Sequence, residues 1–390
     1  MTFYSEKMQK IKPSGIRELF AKAQGIPDTI SLGIGAPDIT TPEVLKREMR
    51  YAVDFNYNNY DQSPGNPKLR TMVAKKYKEE YGVDYSSDGV LITCGGVQLV
   101  YTALQTYLEK GDEVLIQDPS FLTYPHQVQL AGGKTVWMSS TSDFKIDIEK
   151  MKESVNDKTK MMILNFPSNP TGAIMEKHEL KALVDIAVDH NLMIISDEVY
   201  EYYTFDEKKH VHIGSIDGAY ERTLTANSFS KTFAIPGWRM GFGVSTAEIM
   251  KPMISYNTYV IANATTPAQV ALANYMHTDE AKEFQKYIKE EFQQRRDAIV
   301  EGFNSIEGIK CHKSSGSFYC YPDISESKYP IGEEFSNKAF EDARVVLVPG
   351  TEFGPTQTNN IRASFGSVNI AKIEDVIHRL TRMLEHSKGK

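Results

Sequence analysis

Six short apolar runs, at residues 90–93, 113–117, 134–138, 161–165, 192–196 and 223–227, punctuate the first two-thirds of this chain. Between most of them lie segments whose apolar residues recur at helical spacing, as at 97–108 and 178–190. Strands that read as continuous apolar runs are covered on both faces, and their alternation with helices predicts β-α units in a mostly parallel sheet. The alternation stops after about residue 245. Residues 281–303, AKEFQKYIKEEFQQRRDAIVEGF, carry a long charged helix pattern whose polar side, Lys286 to Arg296, reads as a solvated face with pairs four residues apart, Lys286 with Glu290 and Glu291 with Arg295. Short strand candidates follow at 317–321 and 344–348, then an amphipathic helix at 370–385. The predicted fold class is α/β, a large domain with a mostly parallel sheet flanked by helices plus a smaller α+β domain. Residues 1–48 are expected to join the small domain, 49–280 to form the large one and 281–390 the small C-terminal one. Thr41-Pro42 offers a cap and a first-turn proline for a helix running to about Asp54.

No period of roughly 20 to 50 residues repeats, which excludes solenoids and propellers. Apolar residues at 41% and charged residues at 24% exclude wholesale disorder. Acidic residues outnumber basic ones, 51 to 44, and the net charge of −7 lacks the broad basic footprint of a nucleic-acid binder. No apolar run approaches the roughly 18 residues that span a bilayer. The start, MTFYSEKMQKIKPSG, holds no stretch suited to a signal peptide. Neither a nucleic-acid nor a membrane partner is expected. Three cysteines, Cys94, Cys311 and Cys320, are odd in number and sparse, which fits a reducing cytoplasm rather than a disulfide framework.

In sheets of this kind ligands gather at the carboxyl ends of the strands. Three polar clusters sit at such ends: Ser168-Asn169-Pro170-Thr171-Gly172, Asp197-Glu198-Val199-Tyr200, and Ser228-Phe229-Ser230-Lys231-Thr232. Alone, the first would be a β-turn, Asp197 a helix cap and Lys231 one solvated lysine among many. Three in order at equivalent strand ends describe a site. The histidines at 126, 178, 190, 210 and 212 are scattered, and His210-Val211-His212 has no cysteine at ligand spacing, so no metal site is expected.

The block Ser228-Phe229-Ser230-Lys231-Thr232 followed by Pro236-Gly237-Trp238-Arg239-Met240-Gly241 closely resembles the class I/II aminotransferases among the fold-type I pyridoxal 5′-phosphate (PLP) enzymes. The likeness extends over essentially the whole chain. Ser14-Gly15-Ile16-Arg17 and the stretch from Phe20 to Gly35 add a similarity to the aromatic/aspartate branch. The resemblance implies PLP as cofactor and an amino acid and a 2-oxo acid as substrates. Lys231 matches the lysine that forms the Schiff base with PLP and then carries the proton from the substrate's α-carbon. Asp197 matches the carboxylate facing the pyridine nitrogen, and Tyr200 and Asn169 match donors to the phenolate oxygen. Ser228, Ser230 and Arg239 match phosphate ligands, joined by backbone N–H groups of Gly96 and Val97 where a Gly-Gly turn opens a helix. Phe121 aligns with the aromatic that stacks on the ring.

Tyr60 matches a tyrosine lent to the neighbouring subunit's phosphate, which implies a homodimer with shared active sites. Arg362 matches the arginine that grips the substrate α-carboxylate, and Gly35 the loop that closes over the substrate. Some relatives that prefer dicarboxylic acids carry a lysine where this chain has Val97, and others an arginine in the segment matching residues 263–267, which has none. The side-chain pocket is therefore expected to be apolar or aromatic, lined by Ile16, Val97 and Tyr319, with aspartate second among donors. A carbon–sulfur β-lyase on the same scaffold and a non-catalytic effector-binding module are the other readings.

Overall fold

A computed structural model describes residues 3–9, 11, 15, 23 and 25–386. Its largest element is a seven-stranded sheet in the order β2-β8-β7-β6-β5-β3-β4. The strands are β2 (Val90–Thr93), β3 (Glu113–Gln117), β4 (Lys134–Met138), β5 (Thr159–Asn165), β6 (Met193–Asp197), β7 (Thr223–Ser228) and β8 (Gly241–Val244). All run parallel except β8, which is antiparallel to both neighbours. Side chains alternate between two cores along each strand: Val114 and Ile116 enter one while Leu115 enters the other, and Ile195 and Ile194 divide in the same way. One core lies under helices Gly96–Tyr107 and Ala247–Ile261 and the other under Lys177–Asp189. A strand buried on both faces has no polar position, hence the continuous apolar runs.

β8 was absent from the sequence expectation because its sequence is Gly-Phe-Gly-Val. The glycines answer to crowding: a Cβ on Gly243 would lie 2.6 Å from Leu99 Cδ1, and one on Gly241 2.6 Å from both Gly95 C and Gly96 N.

A second sheet has three antiparallel strands in the order β11 (Val348–Pro349), β12 (Ile361–Ser364) and β9 (Tyr319–Cys320). Beside it, β1 (Ile30–Ser31) pairs in parallel with β10 (Val345–Val346). Helices Asp279–Asn304, Gly332–Ala343 and Ile370–His386 enclose a further core with Phe292, Phe303, Phe335 and Leu380. Among the described residues no helix is long and apolar enough to cross a membrane.

Several local expectations are corrected. The strand expected at 317–321 shrinks to two residues, since Ser317 adopts φ +56°. The strand expected at 344–348 divides. Arg344 caps the preceding helix in the left-handed region, Val345–Val346 joins β1, and Val348–Pro349 joins β12. Pro42, not Thr41, is the cap position of helix Glu43–Asp54, because the Thr41 hydroxyl donates instead to the Ala234 carbonyl at 2.8 Å. The charged face of Asp279–Asn304 is solvated only in part. Lys286 and Glu290 lie outside, but Arg295 and Arg296 are buried. Arg295 pairs with Asp38 at 2.7 Å as well as with Glu291. Arg296 donates to the Ser314 carbonyl at 2.5 Å and to Asp206 at 2.8 Å.

The crowding at β8 makes a stability prediction. Gly241→Ala should cost about 1–3 kcal/mol through overpacking, whereas Gly237→Ala, where a Cβ meets nothing within 4 Å, should leave the melting temperature nearly unchanged. Thermal unfolding of the two variants beside the parent checks this.

Candidate active site

The carboxyl ends of β2, β5, β6 and β7 and the edge of the three-stranded sheet enclose a cavity of about 300 Å³. Asn165 ends β5 opposite Asp197, which ends β6. The Asn165 amide donates to the Asp197 carbonyl at 3.0 Å, and its oxygen accepts the Asn169 N–H at 2.8 Å. Both strand ends are thereby held in one frame. The Asp197 carboxylate accepts a hydrogen bond from the Tyr124 hydroxyl at 2.6 Å and a longer one from the Val199 N–H at 3.3 Å. Burial pushes its carboxyl up to about 6 in spite of those donors.

Lys231 sits in the short helix Phe229–Thr232, directly after β7. Its amine donates to the Gly35 carbonyl and lies 5.6 Å from the Phe318 ring. Burial, followed by the charges of Arg239 and Arg362, lowers it to about 8, with Asp197 opposing. Arg362, on β12, is 4% exposed. Its guanidinium donates to the Gly33 carbonyl at 2.5 Å and the Asn169 oxygen at 3.2 Å, and packs 4.7 Å from the Tyr319 ring and 4.8 Å from that of Phe353. Its Nε has no hydrogen-bond partner. Gly35 is needed where it stands, because a Cβ there would lie 2.3 Å from the Tyr319 hydroxyl.

The other end of the cavity is rich in donors. Ser228 accepts the Ser230 N–H at 3.1 Å, and the two hydroxyls are 2.8 Å apart. Gly95, at φ +89°, turns the chain into the helix that begins at Gly96, whose first two N–H groups, those of Gly96 and Val97, lack intrahelical acceptors. Arg239 folds across that turn and donates to the Pro236 and Cys94 carbonyls at 3.0 and 3.3 Å.

Twelve residues singled out from the sequence line this one cavity: Gly35, Gly96, Val97, Phe121, Asn169 and Asp197, with Tyr200, Ser228, Ser230, Lys231, Arg239 and Arg362. Tyr319 lines it as well. Tyr200 and Asn169 engage protein groups, since the Tyr200 and Tyr319 hydroxyls are 3.0 Å apart and the Asn169 oxygen meets Arg362. Tyr60 stands apart, 90% exposed beside residues 263–267 in a separate depression. Ser14, Ile16, Arg17 and Phe20 lie outside the described residues. Sequence reasoning missed Tyr124 and Asn165. Tyr124 lies one helical turn after Phe121, and that spacing was the available signal.

Behind Asp197, the ligand atoms of Glu198, Glu201 and His210 lie within 4.8 Å of one another. Scanning for cysteine spacing could not find this cluster. Each member is committed: Glu201 accepts from Lys76, Tyr81 and Asn227, and Glu198 lies at 2.9 Å from both His210 and His212.

Residues 27–380 match the family described as aminotransferase class I and II. The chain is 37% identical to an aspartate aminotransferase of Pyrococcus horikoshii, with 99% of this chain and 98% of that one covered. It is also 37% identical to aromatic-amino-acid aminotransferase 2 of Thermococcus litoralis, over 98% and 99% of the two chains. The solved aromatic aminotransferase of Pyrococcus horikoshii superposes with a TM-score of 0.90 at 34% identity, covering 96% of this chain and 99% of its own.

The electrostatics of the cavity make a prediction of their own. In cofactor-free protein Lys231 should be acylated half-maximally near pH 8, well below an ordinary lysine at about 10.4. Arg362→Ala, by removing one positive neighbour, should move that midpoint upward. Peptide mass spectrometry across a pH series reads both.

Proposed function

We propose that this chain, which belongs to the class I and II aminotransferases, transfers the amino group of an L-amino acid with an aromatic or apolar side chain to a 2-oxo acid such as 2-oxoglutarate, in a ping-pong cycle. It is a PLP-dependent transaminase. The observation that carries the donor preference is the inventory of charge. Among the described residues the cations lining the cavity are Lys231, Arg239 and Arg362, and each is committed to the cofactor or to the α-carboxylate. None remains for a side-chain carboxylate, whose unpaired burial costs several kcal/mol. Val97, Leu122 and Tyr319 instead offer apolar and aromatic surface. Aspartate is the second reading, supported by the name of the Pyrococcus relative.

The residues present fit the cofactor. Ser228, Ser230, Arg239 and the helix start at Gly96 are a donor set for a dianion, while Asp197 and Phe121 suit a pyridine ring. When bound, PLP supplies the electron sink that makes the amino acid's α-hydrogen removable. Asp197, aimed by Tyr124, holds a proton on the pyridine nitrogen, because an adjacent anion raises that nitrogen's pKa. Lys231, with its amine near 8, is partly neutral at neutral pH and suited to move a proton from the substrate's Cα to the cofactor's C4′. Arg362 grips the α-carboxylate with the donors that now meet Gly33 and Asn169. Tyr200 and Asn169 donate to the phenolate oxygen, and the loop around Gly35 closes the site against water.

Tyr60, exposed and away from its own cavity, is assigned to the phosphate of a second copy in a homodimer. Domain boundaries close to 48/49 and 280/281, at the starts of the helices Glu43–Asp54 and Asp279–Asn304 that those two positions would cut, and a cytoplasmic location complete the reading. Three free cysteines agree with that location.

The test is the absorbance spectrum of the PLP-loaded protein before and after single amino acids, without any oxo acid. Tyrosine or phenylalanine should convert the chromophore faster than aspartate. Conversion by aspartate or glutamate alone would overturn the donor preference and keep the transaminase. Release of a 2-oxo acid and a thiol from a sulfur amino acid, without added oxo acid, would identify a β-lyase, and a protein without turnover an effector module. Lys231→Ala should slow conversion by at least about 10²-fold.

A further inference from the structure

Asp118 is buried, follows β3 directly and stays outside the cavity. Among the described residues no Lys, Arg or His lies within ion-pair distance of it, and burial raises its carboxyl despite bonds from Thr356. A carboxylate buried without a counter-charge is costly. Its Oδ2 accepts from the Thr356 hydroxyl at 2.8 Å and from the Thr356 N–H at 3.2 Å. Its Oδ1 lies so close to the loop between β11 and β12 that a Cβ on Gly354 would come within 1.8 Å of it. Two residues on, the Ser120 N–H donates to the Phe353 carbonyl at 2.8 Å.

Both ends of this clasp lead into the cavity. On one side the next residue is Phe121, and the main chain is tied back to the large sheet by Ser140, whose hydroxyl donates to the Asp118 carbonyl at 2.7 Å. On the other side Phe353, 1% exposed, packs 4.8 Å from the Arg362 guanidinium. Beside the link through Asn169, one path from β3 to the carboxylate-binding arginine therefore runs through the bonds of two residues, Asp118 and Ser120, and one aromatic contact.

We propose that Asp118 is a positioning residue: by clasping Thr356 it sets where Arg362 stands relative to Phe121, and so the affinity for the substrate carboxylate. This rests on the reading that Arg362 grips that carboxylate. Asp118 acts through Phe353 and touches neither substrate nor cofactor.

The test uses PLP-loaded enzyme and four variants, Asp118→Ala, Asp118→Asn, Thr356→Val and Arg362→Ala. Calorimetry measures the dissociation constant of 3-phenylpropanoate, a carboxylate that cannot react, and steady-state kinetics give KM and kcat. Asp118→Ala and Thr356→Val should each weaken 3-phenylpropanoate and raise KM for both substrates about fivefold, the size of one net hydrogen bond. The rate constant kcat and the affinity for PLP should hold. Asp118→Asn should restore binding, because its amide oxygen can accept the same two bonds. Should Asp118→Ala fail to fold, Thr356→Val decides alone. Unchanged carboxylate affinity in Thr356→Val while Arg362→Ala loses it would overturn the clasp, as would a parallel loss of PLP affinity. Intact carboxylate binding in Arg362→Ala would instead defeat the reading of Arg362 and the clasp with it.

Discussion

Taking charge out of water is the constraint on which this structure turns. Asp197, Lys231 and Arg362 share one cavity of about 300 Å³, the first and last buried and the lysine partly so. Each would be expensive in isolation. Together they form a field in which the carboxyl is pushed up, the amine is pushed down and the guanidinium is packed between aromatic faces. That tension suits proton transfer, since groups whose pKa values are driven toward neutrality exchange protons at least cost.

Support for that field comes from buried polar groups one layer back. Asn227, at the end of β7, donates to Glu201, which also accepts from Lys76 and Tyr81. Lys76 is buried, yet Glu201 and Glu80 raise its amine against the opposing effect of burial. Beside it, Glu198 is held well below the usual carboxylate range by His212 and His210, although burial works the other way. Networks of this kind contribute stability only when every member is satisfied. Here they stand immediately behind Asp197 and Ser228, where a loose partner would be felt in the cavity.

The sequence was most legible where the strands run as short, mainly apolar stretches between turns. Val90–Thr93 and Glu113–Gln117, buried along their length, fall at their expected bounds, as does the half-buried edge strand Lys134–Met138, and the strand ends bearing Asn169, Asp197 and Lys231 meet in one place. Legibility failed where a residue answers to a distant neighbour. The glycines of β8 exist for Leu99 and for the Gly95–Gly96 turn, so no strand pattern survives in the sequence. Arg295 and Arg296 read as surface charges until Asp38, Asp206 and Ser314 arrive from elsewhere in the chain. Tyr124 reads as one more helix aromatic until its hydroxyl finds Asp197. Local spacing carries helix and strand; it does not carry partners that lie dozens or hundreds of residues away.

The order of the large sheet has a consequence for how the chain matures. Antiparallel β8 separates β2 from β7, so the donor-rich end of the cavity needs the turn at Gly95, the helix at Lys231 and the strand at Gly241 in place at once. Arg362 and the carbonyl of Gly33 must then meet across 329 residues of chain. No fragment owns the cavity. Cofactor affinity is consequently a property of the finished molecule, and a ligand that binds only the finished molecule shifts the folding equilibrium toward it by mass action. Supply of the cofactor thereby becomes a determinant of how much of this chain persists as folded protein.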